Sequence, residues 1–400
     1  AEAAKKVGDA VLLARAAIGI GHGYQRIGQP DPELIELLEA ALAAFGSGDH
    51  PFKALTMAHL DYALGSVPGS LARRSILAQE ALAMARRVGG VEIQAWVLQY
   101  TRWAFRGPQT EQERRDGLAE IEALLPQAGD AELELMLRHI LVTDLLELGE
   151  LPRARCEADE LLQRAKEAQL PWVLWLVGRL RTALALFEGR FADAEQLIAE
   201  TLEYGQATDH PNVVPMAGAQ WALLALETGR LDDVGALVEI AIAENPRVLT
   251  WRALAALVAA ERGQIDVAAA QLAQVAEDDF AHVPQDTAWL LAMGFAAAAA
   301  AAVGDQRIGR KLYDALLPYR DRCTGMGSAI LSLGHPERYI GLAAIAAGMD
   351  CAAQHLTHAL RENERMGAVP WAALTRRDLA RLRESDDSES SDPSDSSDEF

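Results

Sequence analysis

The chain has 400 residues, half of them apolar with alanine and leucine dominating, and a formal net charge of −21. Such an acidic surface repels phosphate backbones, so the composition argues against nucleic-acid binding. The most apolar stretch, residues 289–303, is shorter than the roughly twenty residues that cross a bilayer, so we expect no membrane span.

The sequence pattern of residues 1–130 predicts divergent helical hairpins. Apolar residues recur at helical spacing between short breaks that are rich in glycine and proline, as antiparallel helix neighbours require. The first seven residues have the pattern of a helix end, so we expect this chain to be a piece of a longer protein.

Residues 131–383 predict a regular repeat in which an apolar helix, a turn at glycine and a second helix follow one another. The spacings between successive turn glycines are 40, 40, 34, 41 and 44 residues, which is typical of helical-hairpin arrays. Glycine ends a helix at low steric cost because it accepts the left-handed conformation. The turn glycines are Gly149, Gly189, Gly229, Gly263, Gly304 and Gly348.

A small residue stands five places after each of these glycines, where we expect the second helix to cross the first. A large side chain there would hold the two helices apart. These residues are Ala154, Ala194, Val234, Ala268, Gly309 and Ala353.

Residues 384–400 form an acidic Ser/Asp tail with eight acids and no Lys or Arg, and we expect it to be disordered. It is either a solvating end or a phosphorylatable segment that recruits a basic partner. The whole pattern predicts an all-α, right-handed α-solenoid of about 18–20 antiparallel helices.

The six hairpins resemble tetratricopeptide repeats, whose second helix carries the same Gly-to-Ala spacing. Their periods near forty are longer than is usual for that family. A narrower resemblance links this chain to the C-terminal helical-repeat region of large bacterial signalling ATPases, either fused to cyclases or of the LuxR type. The segments that carry it are LFEGRFADA (186–194), DDFAHVPQDTAW (278–289), KLYDALLPY (311–319), LGHPERYIGL (333–342) and NERMGAVPW (363–371).

That resemblance implies a sensing or docking role in signalling or transcription regulation, in which a sister ATPase or cyclase domain does the chemistry. The chain itself has neither that nucleotide-binding domain nor, after residue 383, a DNA-binding helix-turn-helix. We therefore predict a non-catalytic interaction scaffold that binds a protein or peptide segment. The alternative is a sensor that holds a small-molecule inducer in the groove.

No motif for catalysis, metal or cofactor binding stands out. The phosphate-binding GxxxxGK[ST] loop, the HExxH motif and the GxSxG elbow are all missing. Cys351, His355 and His358 share one helix face, where they either hold a metal or fill a core. Three cysteines without a CxxC pair indicate reduced thiols in a cytoplasmic protein.

Two groups are candidates for ligand binding. Trp172, Trp175 and Arg179 share a helix face and form either core or an exposed ridge of the kind that binding hot spots favour. The second group surrounds a glycine-rich loop that is either a ligand site or a plain connector, and it consists of Tyr313, Arg320, Gly325, Gly327, Arg338 and Tyr339.

Overall fold

A computed structural model describes residues 9–21, 29–103, 111–322 and 330–390, and within these ranges it contains nineteen α-helices and no β-strand. The predicted all-α solenoid is therefore confirmed. The first ten helices are α1 (Ala10–Gly21), α2 (Pro32–Phe45), α3 (Pro51–Ala63), α4 (Leu71–Val88), α5 (Val91–Trp103), α6 (Glu111–Leu124), α7 (Ala131–Glu147), α8 (Leu151–Ala168), α9 (Pro171–Phe187) and α10 (Phe191–Gln206). The others are α11 (Val213–Glu227), α12 (Leu231–Glu244), α13 (Leu249–Glu261), α14 (Ile265–Val275), α15 (Trp289–Val303), α16 (Gln306–Leu316), α17 (Glu337–Ala346), α18 (Ala352–Met366) and α19 (Val369–Ser390).

The helices form two layers. Each helix packs against the next one in the chain, and odd-numbered helices also pack against the next odd-numbered helix. Helices α11 and α13 are the one odd-numbered pair among those described that does not pack closely. The odd-numbered helices are thus the inner layer, and a gap in that layer separates α11 from α13.

Burial follows this arrangement. Inner helices such as α7 and α15 are buried almost all the way round. Outer helices such as α8 bury only every third or fourth residue, from Leu151 and Ala154 to Ala165. Apolar positions at this spacing form one stripe that removes hydrocarbon from water while the opposite face stays charged.

The hairpin turns depend on left-handed glycines. All six turn glycines have φ between +65° and +75°. At Gly149 the next amide, that of Glu150, donates a 2.9 Å hydrogen bond to the carbonyl of Leu145. This bond satisfies a carbonyl that the end of the helix leaves unpaired, and it turns the chain towards the next helix.

The small residues after the turns allow close approach in five of the six repeats. Ala154, Ala194, Val234 and Ala268 are fully buried. Gly309 lies so close to the end of α17 that an added Cβ would stand 2.6 Å from the backbone nitrogen of Ala347. The prediction for Ala353 is wrong, because that residue is exposed.

The correction at the last turn has a simple cause. After Gly348 the second helix begins four residues on, at Ala352, whereas after Gly149 and Gly189 it begins two residues on. The two extra residues before the helix change which of its positions face the core, so that the small buried residue is Ala352 instead of Ala353.

The described side chains form two apolar cores. One extends from Leu13 to Tyr100 and the other from Ala95 to Trp371. The change from one core to the other falls within α5, upstream of the predicted division at residue 130. At the far end, α19 continues to Ser390, into the stretch that we expected to be disordered, and residues 391–400 lie outside the described ranges.

Distant parts of the solenoid touch one another. Arg74 Nη1 donates to the carbonyl of Gln285 at 2.7 Å, which links α4 to the segment before α15. Trp371 of α19 stacks on Phe187 of α9 with 5.5 Å between ring centroids. These contacts join helices that are far apart in the chain.

We predict that Gly309→Ala lowers the free energy of unfolding by about 1–3 kcal/mol, because the new methyl group must push α16 away from α17. Gly218→Ala is the matched control, since its Cβ would meet only Leu237, at 4.0 Å. That control gains about 0.5–1 kcal/mol from helix propensity. Urea unfolding followed by circular dichroism measures both, and equal stability of the two variants would contradict the close-approach model.

Candidate functional site

The inner layer holds a cavity of about 520 Å³ at the gap between α11 and α13. Its walls are mostly apolar, and small side chains on α11 leave the space open opposite large ones on α13. Ala219 and Ala222 belong to the first group, Trp251 and Leu254 to the second. Leu291 and Phe295 of α15 complete the apolar wall.

Polar side chains also line this cavity. They are supplied by Asn212, Glu244, Asn245, Thr250 and Thr287. Gln29, from far upstream in the chain, donates a side-chain hydrogen bond to Asn245 Oδ1. An apolar pocket with a few placed polar groups is the usual form of a ligand site, for which 300–1,000 Å³ is typical.

A buried glutamine fixes the inner wall. Gln220 Nε2 donates to the carbonyl of Arg179 at 2.9 Å and to that of Ile330 at 2.8 Å. Ile330 and Leu331 line the cavity themselves. The segment before α17 is therefore tied to the wall of the cavity and is in a position to respond to its contents.

A second cavity, of about 260 Å³, follows the same inner helices towards their C-terminal ends. Leu223 and Phe295 line both cavities. The second one is charged, because the side chains of two acids and two arginines line it. These are Glu227, Glu261, Arg338 and Arg377.

Ion pairs neutralise most of this charge. Arg338 Nε pairs with Asp378 at 2.8 Å, and Arg377 pairs with Glu261 at 3.2 Å. Glu227 has no hydrogen bond or ion pair within the described parts of the chain. Burial raises the pKa of Glu227 to about 7, although Arg338 and Arg377 act in the opposite direction.

The first predicted binding group does not form an exposed ridge. Trp175 and Arg179 are buried, and Trp172 is half-buried against the main core. The guanidinium of Arg179 lies 4.5 Å from the centre of the Trp175 ring and contacts Met216 Sδ at 3.0 Å. Burial lowers its pKa to about 10. Because Met216 lines the apolar cavity, Arg179 lies just behind that wall.

The second predicted group is split by α17. Arg338 and Tyr339 line the charged cavity. Arg320 instead pairs with Glu337 at 3.1 Å, and Tyr313 shares a 3.2 Å hydrogen bond with His355 Nε2. Gly325 and Gly327 lie outside the described residues.

The proposed metal-binding face has other partners. His355 Nδ1 is hydrogen-bonded to Glu337, and His358 stacks on His335 at 5.4 Å. Cys351 Sγ is 3.8 Å from the hydroxyl of Tyr313. Over the described ranges, no group of three or more His, Cys, Asp or Glu side chains is placed to hold a metal ion.

Sequence reasoning missed the apolar cavity. Its lining comes mainly from α11, α13 and α15, which are separate in sequence, so no single segment predicts the cavity. The one available signal was the spacing of 34 residues between Gly229 and Gly263, which is shorter than that of every other repeat. The cavity lies at that irregular repeat.

Comparison with family models gives no match for this chain. A ribosomal protein L11 methyltransferase from Alteromonas mediterranea (strain DSM 17117 / CIP 110805 / LMG 28347 / Deep ecotype) is 33% identical over 139 residues. The match covers 33% of this chain and 45% of that protein. Since the chain spans less than half of that relative, the match does not show membership of its family.

Among solved structures, a Rap protein complexed with competence and sporulation factor has a similar fold. It matches with a TM-score of 0.56 at 9% identity, over 94% of this chain and 98% of its own. At that identity the likeness shows the helical-repeat fold alone. A circular tandem repeat protein, 16% identical over 96% of this chain and 97% of its own, has a TM-score of only 0.20. None of the described helices is long and apolar enough to cross a bilayer.

We predict that Arg179→Met changes the free energy of unfolding by less than about 1 kcal/mol, because Arg179 is a buried cation that has no carboxylate partner among the described residues. Arg338→Met is the matched comparison. It leaves Asp378 buried without its cation, which costs about 3–5 kcal/mol. Chemical unfolding measures both variants, and a loss for Arg179→Met as large as that for Arg338→Met would contradict the prediction.

Proposed function

We propose that this chain is a non-catalytic scaffold whose inner helices bind a segment of another protein, with an apolar side chain of that segment held in the 520 Å³ cavity. The observation that carries this proposal is the gap between α11 and α13, the one place among the described helices where the inner layer opens. Filling such a space with hydrocarbon releases bound water and adds dispersion contacts.

Three further features support the proposal. Polar side chains such as Asn245 and Thr250 line part of the cavity, which suits the polar backbone of a bound segment. Gln220 connects the cavity wall to Ile330, so that an occupied cavity can alter the segment before α17. A Rap protein with a similar fold is complexed with competence and sporulation factor, and by analogy this solenoid binds a partner.

The wider role is a regulatory one in our proposal. The sequence resemblance to the repeat region of bacterial signalling ATPases suggests that the bound segment belongs to a sister ATPase or cyclase domain, or to a separate partner. In that arrangement the repeats signal whether a segment is bound in the cavity, and the partner domain carries out any catalysis.

A separate observation supports a second candidate function, the binding of a small molecule. The cavity volume of about 520 Å³ falls in the range of small-molecule sites. Ile330 and Leu331, which line it, lie next to the loop where the sequence predicted an inducer. A small apolar effector and a peptide side chain would thus compete for the same space.

Selection from a phage library of random dodecapeptides, followed by fluorescence anisotropy, tests the main proposal. The key variant is Ala219→Trp, which fills the cavity from α11. Peptides enriched on the unmodified protein are expected to lose at least tenfold in affinity for this variant, because their anchoring side chain has no space left.

Ala236→Trp on the exposed face of α12 is the control and should bind as the unmodified protein does. Equal affinity for the two tryptophan variants would show that the cavity is not the binding site. The effector sensor would be favoured instead by two results together. No peptide is enriched, and native mass spectrometry finds a small molecule bound to the unmodified protein and to Ala236→Trp but not to Ala219→Trp.

A further inference from the structure

We infer that the 260 Å³ cavity beside the apolar one is a cation subsite, which takes the guanidinium or ammonium group of an arginine or lysine side chain. This inference deepens the proposed function: the occupant of the inner face would carry an apolar side chain and, next to it, a basic one. The two cavities meet at Leu223 and Phe295, so one ligand is able to reach both.

The balance of charged side chains around the second cavity determines whether it favours a positive or a negative ligand. Both arginines are already paired, Arg338 with Asp378 and Arg377 with Glu261. Within the described ranges Glu227 has no such partner. Two carboxyl groups and two guanidinium groups line the cavity, but Arg338 is paired with Asp378, which is not a lining residue. Among the described residues Glu227 is thus the lining acid without a contact ion pair, although Arg338 and Arg377 still act on it electrostatically. A bound cation would give this carboxylate the ion pair that the protein does not supply.

The ends of two helices add to this preference. Glu227 is the last residue of α11, and Glu261 is the last residue of α13. The C-terminal end of a helix carries a partial negative charge from carbonyl groups that have no partner within the helix. Both ends meet at this cavity, and both favour a positive ligand.

Aromatic rings complete the cavity. Tyr339 and Trp371 line its wall, and Trp371 is itself held in place by stacking on Phe187. The guanidinium of Arg338 already lies 5.3 Å from the centre of the Tyr339 ring, so Trp371 is the ring left for a ligand. A planar guanidinium gains cation–π attraction over such a ring while its N–H groups bond to a carboxylate. An arginine side chain fits this combination better than a lysine side chain does.

The arrangement also suggests the order of the two groups along the occupant. The apolar cavity lies towards the N-terminal halves of α11 and α13, where Met216 and Trp251 are found, and the charged cavity lies at their C-terminal ends. An occupant that runs along the inner helices would therefore present its basic side chain at the end nearer the turn at Gly229.

The test uses two small probes that do not depend on the peptide-binding proposal. n-Butylguanidinium chloride and its neutral analogue n-butylurea are titrated at pH 8 into the complete chain, with saturation-transfer NMR as the readout. The guanidinium is expected to bind at least fivefold more tightly than the urea. Glu227→Gln should abolish this difference, because it removes the unmatched negative charge.

Two controls separate the outcomes. Glu239→Gln, on the exposed face of α12, should keep the fivefold preference. Ala219→Trp should also keep it, since that change fills only the apolar cavity, so the cation subsite and the peptide site can fail independently. Equal binding of the two probes, no binding of either, or a preference that survives Glu227→Gln would overturn the inference.

Discussion

Close approach between successive helices is the constraint on which this structure depends. A glycine with φ between +65° and +75° reverses the chain. A slim residue such as Ala194 or Gly309 then lets the second helix touch its neighbour. Most contacts join successive helices, so the same local solution is repeated along the chain. A few contacts, such as the stacking of Trp371 on Phe187, link helices that are far apart in sequence.

The function we propose arises where that regularity ends. Helices α11 and α13 do not pack closely, and alanines of α11 line the same cavity as Trp251 of α13. The site coincides with the shortest repeat rather than with a special motif. The charged cavity next to it follows from the same geometry, since the ends of both helices bring Glu227 and Glu261 together.

The sequence predicted the fold well because its determinants are local. Each turn glycine and the apolar face of each helix are visible within a dozen residues. Ala353 was misplaced because α18 starts later, and α19 continues to Ser390, into the stretch that was expected to be disordered. The candidate site was harder to predict. Tryptophan and arginine at 172, 175 and 179 look alike in sequence whether they face solvent or core, and Arg179 is buried. Arg338 and Tyr339 line a cavity, but that depends on contacts with α11 and α19.

The most direct test of the central claim is hydrogen–deuterium exchange of the chain with and without a peptide selected on it. If the gap in the inner layer is the binding site, protection will appear in α11, α13 and the first turns of α15, and will spread to the segment at Ile330 through Gln220. Protection confined to outer helices such as α8, α10 and α12 would contradict it.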